Sequence, residues 1–359
     1  MDSMIFVKTN TDGTGDGFEQ LVTLMGSHGT QFYGTGSGDG LIGRDDVVLM
    51  KINSQWDERG GTNTDLLKSI IQAVLRHPEG FRGEVVVSDN GQAQFGAKGS
   101  GGSLDWENNN ARDRSQSVQR VVDEIARTHR VSTVLWDTFT SAAVKEYSAG
   151  DYGDGFVVLP RMSRTGARIS YPKFKTRYGT HVSFKEGIWD DGARKYDSDG
   201  LKVISVPVLK AHSGYQVTAC VKHYMGTTSD KLTAHDSHTA IAKGFMGTQM
   251  AGTRPPVLNV LDAIWINPVR GPRAPYSQAV EKRMVAASTD PVALDVWAAK
   301  NVLMPAAKEA GKMDYAVMDP AANEAGTFGQ WLRLSMNEML SAGMAVTMDE
   351  DRIKVFVQE

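Results

Sequence analysis

The sequence predicts an α/β fold: a mostly parallel or mixed central sheet flanked by helices, with an antiparallel hairpin insertion. Three observations carry this. Short continuous apolar runs, such as 47–52, 84–88 and 203–208, read as strands buried on both faces. The first two enclose an amphipathic helix over 65–76, so they form a βαβ unit with a parallel pair. From 151 to 196 the texture changes to brief alternating runs (FVVLP, ARISYPKFK, THVSF) with scattered glycine, which predicts hairpins.

Taken in order, residues 4–8 read as a first strand and 15–25 as a helix whose apolar face includes Phe18, Leu21 and Val22. The glycine-rich stretch 34–43 satisfies G-x-G-x-x-G through Gly38, Gly40 and Gly43. It precedes a strand rather than following one, so it reads as a loop and not a dinucleotide site. The strand 47–52 ends at Lys51 and Asn53, and Thr62 or Asn63 caps the helix that follows. The strand 84–88 ends at Asp89 and Asn90. Lys51, Asn53, Asp89 and Asn90 are thereby expected at one sheet edge. Residues 91–110 are poor in apolar side chains and read as a surface loop or lid. Gly91, Gly96 and Lys98 miss the spacing of a phosphate-binding loop by one residue. A helix at 115–128 and a strand at 132–136 follow. Beyond the insertion come a central strand at 203–208, strands at 257–262 and 283–287, a helix that Ser288 or Thr289 leads into and whose early turns carry Asp290 and Asp295, a helix at 328–340 and a closing strand at 352–357. The organisation expected is an α/β half over 1–150, a hairpin insertion or cap over 151–200, and a second α/β half over 201–359.

The totals exclude several classes of function. The 359 residues are 41% hydrophobic and 23% charged with a net charge of -3, which is no field for nucleic acid or an anionic membrane. Cys220 is the only cysteine, so no iron–sulfur cluster sits on this chain's own thiolates and no intrachain disulfide forms. No apolar run approaches the ~18 residues of a membrane span. The first residues lack a basic and apolar leader, which sets the expectation of a cytoplasmic protein.

Candidate chemistry concentrates in 201–226, LKVISVPVLKAHSGYQVTACVKHYMG, where polar groups follow an apolar strand. Lys210, His212 and Lys222 are the candidate catalytic residues, as acid–base or electrostatic groups. Lys51, Asn53, Asp89, Asn90, Asp262, Arg270, Arg273 and Asp290 are candidate ligand-binding residues, and lysine with arginine at one edge favours a small anion. His212, His223, His235 and His238 form a candidate set for a divalent metal, with Asp230 or Asp236 as oxygen ligands. Asp295 suits a structural role in its helix better than chemistry.

These stretches, together with VVLMKIN at 47–53, TNTDLLKSIIQAVL at 62–75, VVVSDN at 85–90, VLNVLDAIW at 257–265 and ASTDPVALDVWAAKNVL at 287–303, resemble the family of domain of unknown function 362. The resemblance carries over Lys51, Asn53, Lys210, His212, Lys222, Gly226, Asp290 and Asp295. The chain departs from it at Ile52, where the family usually has proline. It departs also at Val208 (lysine), Ala211 (threonine) and His223 (asparagine). Many relatives are fused to ferredoxin-like cysteine clusters, so the resemblance implies an iron–sulfur protein as a partner for a chain without such a cluster. The functions in view are therefore an enzyme acting on a small anionic metabolite, a non-catalytic metal- or cofactor-binding carrier, and an interaction module for an iron–sulfur protein.

Overall fold

A computed structural model describes residues 2–36, 38–56, 59–91, 103–105, 111–229, 231–269 and 276–359. Arg270, Arg273, Asp230 and most of the expected lid at 91–110 lie outside the described residues.

The N-terminal part supplies β1 (Ser3–Lys8), α1 (Gly17–Ser27), β2 (Val47–Lys51), α2 (Thr64–Leu75), β3 (Glu84–Asp89), α3 (Val118–Ile125) and β4 (Val131–Leu135). An antiparallel sheet follows: β5 (Gly155–Met162), β6 (Arg168–Lys175), β7 (His181–Ser183), β8 (Gly187–Asp190) and β9 (Lys195–Asp197), each paired with the next. The chain continues through β10 (Leu201–Ser205), β11 (Val208–His212), β12 (Gln216–Thr218), α4 (Cys220–His223), α5 (Ala234–Ala240) and α6 (Phe245–Gly252). It ends with β13 (Leu258–Asn267), β14 (Val280–Ser288), α7 (Pro291–Ala298), α8 (Met304–Glu309), α9 (Phe328–Ser341) and β15 (Ile353–Gln358).

One large mixed sheet runs β15-β1-β14-β13-β10-β2-β3-β4, with β11 and β12 attached through β13. Strands from both ends of the chain share it. The segment β10-β2-β3-β4 is parallel throughout, as the βαβ reading requires. β14 lies antiparallel to both β1 and β13. Period-2 alternation explains why β2 is apolar on both sides. Leu49 and Val203 enter the core shared with α4, α6, α7, α9 and the small sheet. Val48, Met50 and Ile204 enter the core under α1, α2 and α3.

The helix starts follow from side-chain chemistry. Asn63 rather than Thr62 caps α2, accepting from the Leu66 N–H at 3.0 Å. Asp290 caps α7 through the N–H groups of Val292 at 2.8 Å and Ala293 at 2.9 Å, with Pro291 at the first helical position.

The expected central strand at 203–208 is corrected. It is two strands, β10 and β11, separated at Val206 and Pro207. Proline has no N–H to give to a ladder. β13 bridges the break, pairing with β10 at Leu258 and Asn259 and with β11 at Asp262 and Asn267. Past the interruption the chain no longer pairs with β2, and β11, held by β13 and β12, carries Lys210 and His212.

Candidate functional site

The carboxyl ends of three parallel strands define the floor of the site. Ser205, Lys51 and Ser88 stand side by side in register on β10, β2 and β3. One residue on, Asp89 meets Lys51 in an ion pair of 2.8 Å, both side chains being 2% exposed. The Lys51 Nζ also donates to the Ile52 carbonyl at 3.0 Å, and the Asp89 Oδ2 accepts from the Ser54 N–H at 2.7 Å and its hydroxyl at 3.1 Å. Burial lowers the Lys51 pKa, and Asp89 works against that shift. Gly226 closes over the pair. A Cβ there would run into the Lys51 Nζ and would lie 2.8 Å from Asp89 Oδ1.

The hairpin β11–β12 forms a wall. Lys210 and His212 point to one face by alternation, and Thr218 joins them because it is the cross-strand partner of Lys210. The Lys210 Nζ is buried and donates to the Gly60 carbonyl at 2.7 Å. Burial, then the Lys222 and Lys51 charges, pull the Lys210 pKa down to about 7. His212 Nδ1 accepts two backbone N–H groups, from Gly214 at 3.0 Å and Tyr215 at 3.2 Å. The ring is thereby fixed as the Nε2–H tautomer, a donor. Burial first, and then Lys222, hold its pKa down to about 2, so it stays neutral.

The short helix α4 delivers Lys222 and His223. Its first N–H groups, from Cys220 and Val221, are held by the two oxygens of Asp295 at 2.7 and 3.0 Å. The structural role read for Asp295 is thus a bridge from α7 to the N-terminus of α4. Burial raises the Asp295 carboxyl to about 7 against the opposing effect of these hydrogen bonds. His223 is committed at both nitrogens, to the Ile52 carbonyl through Nε2 at 2.9 Å and to the Ser205 hydroxyl through Nδ1 at 2.9 Å. The Lys222 ammonium is buried, and it has no hydrogen bond or ion pair to protein among the described residues. The Tyr215 ring lies 5.8 Å from it. Burial and then the Lys51 charge lower its pKa to about 8.

Together these groups line a cavity of about 180 Å³ that holds Lys51, Asn53, Asp89, Asn90, Lys210, His212, Lys222, His223 and His238. The structure therefore brings together most of the residues read from the sequence. Asp262 and Asp290 are not among its lining residues. Asp262 accepts the N–H groups of Asn63 at 2.9 Å and Ile264 at 3.1 Å. Asp290 caps α7 and accepts from the Thr347 N–H at 2.9 Å. Asn53 is partly spent on architecture, its Oδ1 accepting from the Val208 N–H at 2.9 Å.

The four-histidine metal set does not assemble. His235 is exposed and away from the cavity. The Nδ1 of His212 faces two N–H donors and both nitrogens of His223 are bonded within the protein, so neither ring has a lone pair left for a metal. Among the described residues no three His, Cys, Asp or Glu side chains form a cluster able to hold a metal ion.

Gln55, Trp56 and Thr218 line the cavity and were not singled out in the sequence. The signal for the first two is their place directly after the strand that ends at Lys51. The signal for Thr218 is the hairpin register, which sequence alone leaves open.

No helix among the described residues is long and apolar enough to cross a membrane. A comparison with curated proteins gives no match. The cavity wall, from Lys210 and His212 through Lys222 to His238, lies in a stretch that a family model covers, whereas Lys51 and Asp89 lie before it. Residues 198–300 match the model of the family described as Domain of unknown function (DUF362), the family that the sequence resembles.

Proposed function

We propose that the chain is an enzyme that binds a small anionic metabolite in this cavity and exchanges a proton with it through Lys210. The observation that carries the reading is the Lys222 ammonium, buried with no hydrogen bond or ion pair among the described residues. An unpaired buried charge is costly, and an anion in the cavity offsets that cost. The donor inventory agrees. Lys210 keeps N–H groups beyond its bond to Gly60, His212 presents Nε2–H, and the buried Thr218 hydroxyl has no hydrogen-bond partner among the described residues. Among the described residues the single lining carboxylate, Asp89, is engaged by Lys51 and Ser54. The volume is below the ~300 Å³ at which drug-sized pockets begin, so the ligand is a small molecule.

Lys210 is the acid–base group because its pKa lies near neutrality, where it is present in both protonation states. Lys222 anchors the anion. His212, neutral and fixed as a donor, orients it rather than acting as a base. In the step proposed, neutral Lys210 takes a proton from the carbon beside the ligand's carboxylate, and the resulting ammonium returns a proton to that carbon.

Incubation with a panel of small carboxylic acids in deuterated water, followed by NMR, tests this. The reading expects deuterium at that carbon of one panel member with wild-type protein and none with Lys210→Met, while Lys210→Met still binds the acid. Binding without exchange in the wild type would instead indicate a carrier.

A further inference from the structure

We infer that the cavity is built for a compact dianion, and that the dianion enters together with a proton. This rests on the anion-binding reading above and specifies the ligand's charge. Among the described residues the cavity wall carries more positive than negative charge. Lys51 is compensated by Asp89 at 2.8 Å. Lys210 and Lys222 have no carboxylate within ion-pair distance among the described residues. Asp262 stands behind Lys210 and softens its field, but its oxygens accept the N–H groups of Asn63 and Ile264 and it does not line the cavity.

Among the described residues the other titratable groups that line the cavity add no charge. His212 and His223 are fixed as neutral rings by their hydrogen bonds, and burial lowers His238 to about 4. Two uncompensated ammonium groups thus share about 180 Å³. A monoanion leaves one of them unpaired in a buried site, whereas a dianion matches both. Without an anion the lysines relieve their burial and mutual repulsion by releasing protons. With a dianion present the charged forms of both are favoured, so proton uptake accompanies binding, and the fraction of Lys210 left neutral is the base proposed above.

The test is calorimetric titration of the full chain with sulfate, malonate and acetate at about pH 6.5, 7.5 and 8.5, each in two buffers of different ionisation enthalpy. Sulfate carries two charges throughout and brings no proton of its own. The inference expects one dianion per chain, bound at least about tenfold more tightly than acetate, with net proton uptake at about pH 7.5. Affinity falls at least about tenfold from pH 6.5 to 8.5 as the free lysines lose protons. Lys222→Met removes both the preference over acetate and part of the proton uptake. Tighter binding of sulfate than malonate assigns a phosphate-like ligand, and the reverse assigns a dicarboxylate. Equal affinity for acetate and the dianions, without proton uptake, overturns the inference and leaves the anion reading standing. If none of the three anions binds, both fall.

Discussion

The Nε2 of His223 lies 2.9 Å from the carbonyl oxygen of Ile52, which ties α4 to the end of β2. Both residues are positions at which the chain departs from the residues usual in the family it resembles, and the structure shows that they are partners. A carbonyl only accepts, so Nε2 carries the proton and Nδ1 takes the Ser205 hydroxyl at 2.9 Å. Burial drives the His223 pKa well below its ordinary value, in keeping with a neutral ring.

His223→Ala leaves a buried carbonyl and a buried hydroxyl unsatisfied. The expected cost is about 3 kcal/mol, seen as a lower midpoint in urea unfolding. His223→Asn, which restores one of the two bonds, should recover part of it. An unchanged midpoint in His223→Ala would show that this link does not hold the site.

Gly226→Ala forces a methyl group against the Lys51–Asp89 pair. Separating a buried ion pair costs about 3 kcal/mol or more. The same urea measurement checks this, and anion affinity should fall with it, because Lys51 is displaced within the cavity.

Lys222→Met should make the anion-free protein more stable, against the usual direction for a core substitution. The folded-state pKa of Lys222 is depressed from 10.5 to about 8. The native state therefore binds its proton less tightly than the unfolded chain does. Wild-type stability carries the full cost of this charge below pH 8 and recovers it as pH rises toward 10.5. The gain from Lys222→Met is thus largest below pH 8, on the order of 3 kcal/mol, and fades toward pH 10.5. Thermal unfolding of both proteins across that range measures it.

Asp295→Ala frees the N–H groups of Cys220 and Val221 and should lower both stability and anion affinity, since α4 carries Lys222. The carboxyl is raised from 3.8 to about 7, so its contribution is full below pH 3.8 and is lost as pH rises through 7. Asp295→Asn, which does not titrate, should flatten that decline in a stability profile between about pH 4 and 8.

Much of this arrangement was legible in the sequence because it rests on local pattern. The apolar runs of β2 and β3 with the helix between them specify a parallel pair, and that pair by itself brings Lys51 to Asp89. The alternation in 151–196 gave the antiparallel sheet. What could not be read depends on contacts distant in sequence. Asp262 and Asp290 look like ligand-binding carboxylates because the sequence places them where apolar runs end, yet Asp262 lies within β13 and backbone N–H groups from elsewhere take up the oxygens of both. The histidines look like a metal set because they are close in sequence. A turn that offers two N–H groups to His212, and the reach of His223 to Ile52, decide otherwise. The break at Pro207 could have been anticipated from the residue alone, since an N–H is missing from the middle of the apolar run.

The central claim is that the Lys222 ammonium awaits an anion. The most direct measurement is titration of wild-type protein, Lys222→Met and a surface control, Lys308→Met, with malonate near pH 7. The account expects one site per chain in the wild type and the control, and at least about a tenfold loss of affinity in Lys222→Met. Equal binding by all three proteins, or binding by none, would contradict it.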